Sequence, residues 1–498
     1  MRSLCLLSLF FVTIVNAADA PALFQQHCAV CHGVERIGIT GPALLPQSLE
    51  RLRKPEALKV IRDGRAATQM LGFADRLNND EITALGDYIY SAVLPAPTFA
   101  EADIRASRVV HAQPGSLPAK PGAALQGRDL LNLFLVVETG DHHVSVLDGD
   151  KLDVVQRFPT RYALHGGPKF TADGRYVFFA SRDGWVSKYD IWNLTMVAEI
   201  RVGLNTRNVA VSADGQHVIA ANYLPGNLVL LDGELNLVKV IAAQSLDGKE
   251  SSRVSAVYEA GVRQSFIAAM KDLPEIWEIS FDPATKADFL NPRRTRLDDV
   301  LDDFYFDPTY AYVMGASRAG KAQVVNLDQR KRVADLDMSG MPHLGSGISF
   351  EWQGQRVMAS PNLKEGSLSV IDMQNWQTVK RIETLGPGFF VRGHEKSPYF
   401  WADAMMSKEK HRLEIFDKRT LAKAGEVSVE PGKTLAHVEF DRYGKFVLAS
   451  LWERQSNGGA LIVYDAASFK EIKRLPMDKP VGKYNLYNKI NRSEGTSH

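Results

Sequence analysis

The sequence predicts two domains, a small all-α domain followed by an all-β propeller of eight blades. A Cys-x-x-Cys-His motif with helical periodicity after it marks the first domain, which ends near residue 93. From about residue 128, hydrophobic and polar residues alternate, and two Ala-Asp-Gly triplets begin at residues 172 and 213, 41 positions apart. At 498 residues with 45% hydrophobic side chains, the chain is long enough for more than one core.

The charge balance limits the class of partner. The chain has 59 basic and 58 acidic side chains, so we expect no large basic surface for nucleic acid or for anionic membranes. We therefore expect the partner to be a small molecule.

The first 17 residues have the pattern of a secretory signal peptide. Arg2 precedes an apolar run from Leu4 to Val15, and Val15-Asn16-Ala17 matches the small-residue cleavage pattern. No later segment has the length of a transmembrane helix. We therefore expect a soluble, exported protein.

Two cysteines remain after such cleavage, Cys28 and Cys31, in the stretch "HCAVCHG". This pattern is the attachment signature of one covalent haem c, in which both thiols bond the porphyrin and His32 binds the iron. A disulfide is the alternative in an oxidising compartment. A zinc site is less favoured because no second pair of ligands follows.

Haem c iron usually takes a second axial ligand, and methionine gives a higher potential than histidine. Met70 precedes a helical pattern that begins near Asn79, the place where small cytochromes c have their methionine ligand. The alternative is that Met70 fills the core. We predict a cytochrome c domain at residues 18–93 and a linker at residues 94–127, whose beginning is rich in Pro and Ala.

The remainder, residues 128–498, repeats a pattern of strands separated by polar turns. The stretches "TADGRYVFFASRDGWVSKYDIW" and "SADGQHVIAANYLPGNLVLLDG" are the clearest copies. Weaker copies extend to the C-terminus, and eight units can be counted, which predicts eight blades around a central channel. Inner strands and loops of such a propeller can enclose a ligand.

Four histidines lie near the starts of predicted blades: His165, His343, His394 and His437. Imidazoles that face a channel are common metal ligands and proton carriers. For any one of them, the alternative is a structural histidine held by hydrogen bonds.

Three arginines, Arg161, Arg207 and Arg253, have similar positions. They are candidates to clamp carboxylates of a ligand, and surface salt bridges are the alternative for each.

With a signal peptide, a c-type cytochrome and an eight-bladed propeller, the chain resembles the cytochrome cd1 nitrite reductases of denitrification and their relatives in haem d1 biosynthesis. The segment "RYALHGGPKF" is similar to the one that carries the proximal histidine of haem d1, and "MPHLGSGISF" to the one that carries a distal-side histidine. "PVGKYNLYNK" is similar to the C-terminal signature of the family. The resemblance therefore implies a haem d1-binding propeller in which His165 is an iron ligand and His343 a second one.

Departures from the family pattern indicate which branch the chain resembles. The nitrite reductases have a second distal histidine where "LDDFYFDPTYAY" has Asp302, and nitrite reduction consumes protons at that face. The cytochrome domain also follows the signal peptide without the longer leader of the reductases, and the NirF type lacks a haem c domain. The NirN type, which dehydrogenates dihydro-haem d1, has both domains and resembles this chain most closely.

This resemblance implies a periplasmic oxidoreductase that converts a propionate side chain of non-covalently bound dihydro-haem d1 to acrylate and passes electrons to its haem c. His437 is then the candidate base, with Tyr484 assisting it, and Arg207 or Arg253 stabilises developing charge. Implied partners are a periplasmic electron acceptor, cytochrome cd1 nitrite reductase and other haem d1 biosynthesis proteins. The alternatives are the NO-forming nitrite reductase itself and a non-catalytic haem d1 carrier.

Overall fold

A computed structural model describes residues 19–39, 41–49, 52–64, 70–95, 97–317, 319–452 and 458–491. The predicted signal peptide, residues 1–17, lies outside the described residues. The chain divides into two units: one comprises residues up to 64 together with 71–96, and the other comprises residues 65–70 together with those from 97 onward.

The first unit is helical, as the sequence predicts. Its helices are Ala20–His27, Ala29–His32, Pro46–Leu49, Lys54–Asp63 and Asn79–Tyr90. The longest one begins after Asn78, whose side chain accepts from the backbone of Glu81 while Glu81 reaches back to the backbone of Asn78. Its apolar face is buried, and Tyr88 from this helix packs against Phe24 of the first helix at a ring distance of 5.4 Å.

Eight antiparallel sheets of four main strands form the second unit, which confirms the predicted propeller. From the channel outward, the first four blades contain these strands: blade 1, Pro480–Asn485, Leu133–Glu138, His143–Asp148 and Asp153–Pro159; blade 2, Leu164–Phe170, Tyr176–Ser181, Trp185–Asp190 and Thr195–Arg201; blade 3, Asn205–Val211, His217–Leu224, Asn227–Asp232 and Leu237–Ala242; blade 4, Val254–Ala260, Ser265–Met270, Glu275–Ser280 and Pro292–Arg296.

The other four blades continue in chain order: blade 5, Asp303–Phe306, Tyr312–Ala316, Ala322–Asn326 and Lys331–Leu336; blade 6, Ile348–Trp352, Gln355–Pro361, Ser367–Asp372 and Thr378–Glu383; blade 7, Val391–Gly393, Tyr399–Asp403, Arg412–Asp417 and Lys423–Ser428; blade 8, Thr434–Phe440, Phe446–Trp452, Gly459–Asp465 and Glu471–Pro476. Short 3-10 turns occur at Ala123–Leu125, Leu130–Asn132, Gly261–Arg263, Pro283–Asp288 and Leu344–Ser346, and a last helix at Leu486–Ile490.

The Ala-Asp-Gly repeat is the turn between the first two strands of blades 2 and 3. Asp173 accepts from the Thr171 hydroxyl and from the backbone of Arg175, and Gly174 has a φ of +70°. The second copy, around Asp214, has the same arrangement. The short acidic side chain accepts hydrogen bonds from turn groups that lack a backbone acceptor, and glycine takes the left-handed conformation. Because the same turn occurs at the same place in two successive blades, the spacing of 41 residues is the length of one blade.

Blade 1 closes the ring by pairing the last strand of the chain with three early ones. Leu135 lies opposite Tyr484, and Phe134 lies opposite Asn485. Neighbouring inner strands contact each other around most of the channel. Closure of the ring therefore leaves the inner edges of the blades short and protected.

The segment predicted as a linker is ordered against the propeller. It contains the helix Glu101–Ala106 and the strand Val109–Val110, which extends the outer edge of blade 2. Ile104 is buried in the core between blades 2 and 3. The apolar side chain of Ile104 explains why this segment packs against the propeller, although the Pro and Ala content at its beginning is typical of a linker. Within the described residues, no helix is both long enough and apolar enough to cross a membrane.

The closing blade gives a test of the fold. Phe134 is fully buried, whereas Val154 in the same blade is 45% exposed. We expect Phe134→Ala to lower the free energy of unfolding by about 3–5 kcal/mol through loss of burial and a cavity. Val154→Ala should change it by less than about 0.5 kcal/mol. Calorimetry of both variants measures this, and equal effects would contradict the assignment of Phe134 to the core.

Candidate functional site

The Cys-x-x-Cys-His motif lies at the junction of the first two helices. Cys28 ends the helix Ala20–His27, and Cys31 lies in the short helix Ala29–His32. Both thiols are free, and burial, with the neighbouring Cys31, raises the pKa of Cys28 to about 11. The two sulfur atoms therefore lie close together in reduced form, as covalent attachment of a haem requires.

His32 is a neutral imidazole whose Nδ1 forms a hydrogen bond. Its Nδ1 lies 2.8 Å from the carbonyl oxygen of Pro42, which only accepts, so Nδ1 carries the proton and Nε2 keeps its lone pair. Burial lowers the pKa of His32. A side chain at Gly41 would lie 2.8 Å from the ring, so glycine is required for this close approach.

The surface around the motif fits a haem. Val30 and Ile39 are 77% and 59% exposed, and Val34 and Leu71 are exposed as well. Exposed apolar side chains near the candidate ligand His32 form a surface that a haem macrocycle would cover. Met70 is half-buried and belongs to the second unit, so its role as a ligand of haem c stays a prediction.

His165 is the second residue of the inner strand of blade 2. Its Nδ1 lies 2.7 Å from the carbonyl oxygen of Arg207, so Nδ1 donates and Nε2 holds the lone pair. Nε2 accepts from the guanidinium groups of Arg182, at 2.9 Å, and of Arg207, at 2.7 Å. An imidazole fixed through Nδ1 to a carbonyl is the usual arrangement of a metal-ligating histidine.

The Gly-Gly pair after His165 explains the unusual strand. Gly166 and Gly167 have φ of +83° and +68°, and the strand register shifts between His165 and Lys169. This bulge redirects the histidine side chain. A side chain at Gly167 would lie 3.1 Å from the ring of Tyr484, so the glycine also admits the tyrosine of blade 1.

His343 precedes the 3-10 turn Leu344–Ser346 that leads into blade 6. Its Nδ1 lies 3.1 Å from the carbonyl oxygen of Phe389, and its ring packs on that of Phe389 at 4.1 Å. Burial lowers the pKa of His343. The charge of Asp303 raises the pKa of His343, and the charge of Arg207 lowers it. Arg207 also hydrogen-bonds to His165, so it lies near both candidate ligands.

Between the inner strands of blades 4 and 5 the acidic residues are already paired. Asp302 accepts from Lys271, and Asp303 accepts from the hydroxyl of Tyr258 at 2.8 Å. Burial raises the pKa of Tyr258. Asp302 is therefore held as a carboxylate by a lysine and is not arranged as an acid.

His437 is a buried residue of the inner strand of blade 8 in a strained conformation. Its φ is +52°, and the strand register shifts between Ala436 and Glu439. Its ring packs against Phe390 at 4.6 Å and Tyr484 at 5.3 Å. Burial, and then the positive charges nearby, lower the pKa of His437 well below its ordinary value. The imidazole is therefore neutral, as a proton acceptor must be.

Tyr484 lies on the inner strand of blade 1 beside this imidazole. Burial raises the pKa of Tyr484 to about 12, so the phenol keeps its proton. A side chain at Gly482 would lie 2.8 Å from the hydroxyl oxygen. Tyr484 can therefore donate a hydrogen bond but is not a base at neutral pH.

Among the three candidate arginines, Arg207 makes a hydrogen bond to a candidate histidine, His165. Arg253 pairs with Asp272 at 2.7 Å, and Arg161 pairs with Glu199 at 2.8 Å. His394 is also separate from the channel histidines: the backbone of Lys396 donates to its Nδ1, burial lowers its pKa to about 4, and its ring lies beside Phe440.

Sequence reasoning missed three cations of the site: Arg182, Arg392 and Lys483. Arg392 is buried on the inner strand of blade 7, and its Nε has no hydrogen-bond partner among the described residues. Lys483 is fully buried 3.5 Å from Nδ1 of His437. No short-range sequence pattern marks Arg392 or Lys483, because basic residues are mostly exposed and the burial of these two depends on neighbours from other blades.

A cavity of about 530 Å³ lies toward the C-terminal ends of the inner strands and is lined by Phe170, Val211 and Phe306. His165 lies at the other end of its strand, and His343 precedes the 3-10 turn that leads into the inner strand of blade 6. The candidate site is therefore at the histidine end, where the imidazoles and the buried guanidinium of Arg392 lie.

The propeller end with the histidines thus combines two imidazoles whose Nδ1 atoms bond to backbone carbonyl oxygens, the neutral buried imidazole of His437, and the guanidinium groups of Arg207 and Arg392. This set fits an anionic ligand that contains a metal.

Comparisons with known proteins agree with both units. The model of the cytochrome D1 heme domain matches residues 128–489, and that of the cytochrome C oxidase, cbb3-type, subunit III matches residues 15–89. A dihydro-heme d1 dehydrogenase of Pseudomonas aeruginosa is 52% identical over 99% of both chains. A nitrite reductase of Stutzerimonas stutzeri is 26% identical over 94% of this chain and 92% of its own length. A solved structure described as dihydro-heme d1 dehydrogenase NirN in complex with DHE matches with a TM-score of 0.90 and 51% identity, covering 95% of this chain and all of that one.

Met70 gives a test of the haem c site. Thioether ligation favours ferrous iron, so we expect Met70→Ala to lower the haem c potential in a redox titration. Met406→Ala, which removes a 53% exposed methionine of the propeller, should leave the potential unchanged. An unaltered potential in Met70→Ala would show that another residue is the sixth ligand.

Proposed function

Because the chain belongs to the cytochrome D1 heme domain family, we propose that it is a dihydro-haem d1 dehydrogenase, an oxidoreductase that converts a propionate side chain of its tetrapyrrole substrate to acrylate. The observation that carries this proposal is His437, a neutral base in a strained and buried position next to Tyr484. The similarity to the Pseudomonas aeruginosa dehydrogenase over the full chain supports it.

In this proposal, His165 and His343 bind the substrate iron. Each has Nδ1 hydrogen-bonded to a backbone carbonyl oxygen, which fixes the ring. Nε2 of His165 becomes available to the metal when Arg182 and Arg207 turn from it to the substrate. Iron with two protein ligands has no open position for nitrite. Together with the Lys271–Asp302 pair, this disfavours nitrite reduction.

Cations at the channel hold the substrate carboxylates. The guanidinium of Arg207 lies beside His165, and that of Arg392 is buried with its Nε unpartnered among the described residues. Guanidinium groups bind carboxylates with two parallel hydrogen bonds. Arg253 is less suited to bind a substrate carboxylate because it already forms an ion pair with Asp272.

The reaction breaks two C–H bonds, forms one C=C bond and releases two protons and two electrons. His437 takes a proton from the side chain, and its depressed pKa keeps it ready to do so at neutral pH. Tyr484 keeps its proton and donates a hydrogen bond toward the reacting side chain. Fixed positive groups stabilise negative charge that develops next to the carboxylate.

Cys28, Cys31 and His32 would hold the haem c. When bound, this group supplies a one-electron acceptor, so each turnover needs two successive transfers to an external acceptor. We propose residues 18–93 as the haem c module and residues 128–498 as the substrate module. We also propose export to the periplasm by the signal peptide and delivery of product toward cytochrome cd1 nitrite reductase.

Substitution of the candidate iron ligands tests binding. With both imidazoles on the iron, bound substrate should have a low-spin spectrum, and His165→Ala or His343→Ala should each change it. His111→Ala, which removes a histidine paired with Glu199 outside the inner strands, should not. Substantial nitrite turnover by the wild-type protein would contradict six-coordination.

Substitution of the base tests catalysis. His437→Ala should bind dihydro-haem d1 with a normal spectrum yet convert it about 100- to 10,000-fold more slowly. The assay is anaerobic incubation with an electron acceptor and mass analysis of the extracted tetrapyrrole, in which wild-type protein yields a loss of two hydrogens. Unchanged pigment with the wild-type protein would identify a carrier, and full activity of His437→Ala would exclude His437 as the base.

A further inference from the structure

Lys483 is a buried lysine that the mechanism above does not use. It lies on the inner strand of blade 1 with no exposed surface. Its Nζ donates to the hydroxyl oxygen of Ser450 at 2.7 Å and lies 3.5 Å from Nδ1 of His437. Among the described residues, no carboxylate forms an ion pair with it.

The surroundings of the Lys483–His437 pair favour its uncharged form. The positive charge of Arg392 lowers the pKa of both residues, and that of Lys489 also lowers the pKa of His437. The negative groups that face Lys483 are Glu439 and Asp403, and burial raises the pKa of Asp403 to about 6. Since burial of an unpaired ammonium is costly, the pKa of Lys483 lies well below its ordinary value.

The charge of Lys483 decides which nitrogen of His437 can accept a proton. An ammonium has only donors, so it would require a lone pair at Nδ1 and place the imidazole proton on Nε2. A neutral amine has a lone pair that accepts from Nδ1–H, which leaves the lone pair of His437 on Nε2. A neutral histidine can be a base through Nε2 only in the second arrangement.

We propose that Lys483 is the positioning residue of the base: its amine accepts the Nδ1–H of His437, keeps Nε2 available for the substrate proton, and then receives the proton from Nδ1. This inference rests on the dehydrogenase function proposed above and assigns the first proton acceptor beyond His437. Ser450 holds the amine in place through its hydroxyl group.

The proton count is balanced. As the first C–H bond breaks, Nε2 of His437 gains a proton and Nδ1 loses one to Nζ of Lys483. The starting tautomer returns when Nε2 gives its proton to water and Lys483 gives its proton back to Nδ1, so the same imidazole can then take the second proton. The two electrons leave one at a time through haem c to the external acceptor, while the C=C bond forms.

Lys483→Met tests the proposal, because it keeps the length of the side chain and removes the acceptor. We expect normal substrate binding and a single-turnover rate lower by on the order of 100-fold, the loss expected when proton transfer is impaired. The rate of the wild-type protein should fall as the pH decreases, because protonation of Lys483 removes the acceptor for Nδ1–H of His437. In Lys483→Met this fall should move to lower pH, because only His437, with its depressed pKa, remains to be protonated.

Three further variants separate positioning from packing. The amide oxygen of Lys483→Gln can accept from Nδ1–H but cannot titrate, so its rate should lie between wild type and Lys483→Met, with the pH dependence of the latter. Ser450→Ala keeps the amine, so the rate should fall while the wild-type pH dependence remains. Lys473→Met removes a lysine of the outer strand of blade 8 that donates to the backbone oxygen of Leu152, and its rate should stay close to wild type.

The outcomes distinguish this inference from the proposed function. If wild-type protein does not convert dihydro-haem d1, the dehydrogenase proposal fails. If wild type converts it, and Lys483→Met and Lys483→Gln lower the rate equally at every pH, Lys483 only supports packing and the inference is wrong. If Lys483→Met loses the bound-pigment spectrum, the Lys483→Gln and Ser450→Ala profiles decide in the same way.

Discussion

Pairing between Pro480–Asn485 and Leu133–Glu138 joins the two ends of the propeller and makes the ring continuous. The same strand carries Lys483 and Tyr484, which meet His437 of the preceding blade. Closure of the ring and assembly of the candidate catalytic groups are therefore one event. If the last strand were unpaired, His437 would lack both of these neighbours.

The channel is also defined by positive charge that the protein itself does not neutralise. Arg392 is buried, and the described residues give it no ion pair. Such groups are unfavourable in the absence of ligand, since a buried cation needs a partner. A substrate with several carboxylates supplies the partners, so part of the binding free energy comes from relief of this cost. The same field keeps imidazoles neutral, and it therefore prepares both metal ligation and proton acceptance.

Much of this architecture can be predicted from the sequence. The Ala-Asp-Gly turns repeat because each blade needs the same tight turn, and Cys28, Cys31 and His32 are adjacent in the chain, so local patterns suffice for both. His165 can be singled out because the Gly-Gly pair interrupts a regular strand. Lys483 and Arg392 could not be found in this way. Their importance depends on neighbours from other blades, such as Ser450 and His437, and no short-range pattern records those contacts.

Asn485 donates to Asn132 at 3.1 Å, although the two residues are 353 positions apart in the chain. Contacts between such distant residues form late in folding, because closing so long a loop has a high entropic cost. Blades 2 to 7 can form from local hairpins before that time. The order of assembly therefore delays competence: the candidate site is complete only after the final strand has paired with the first.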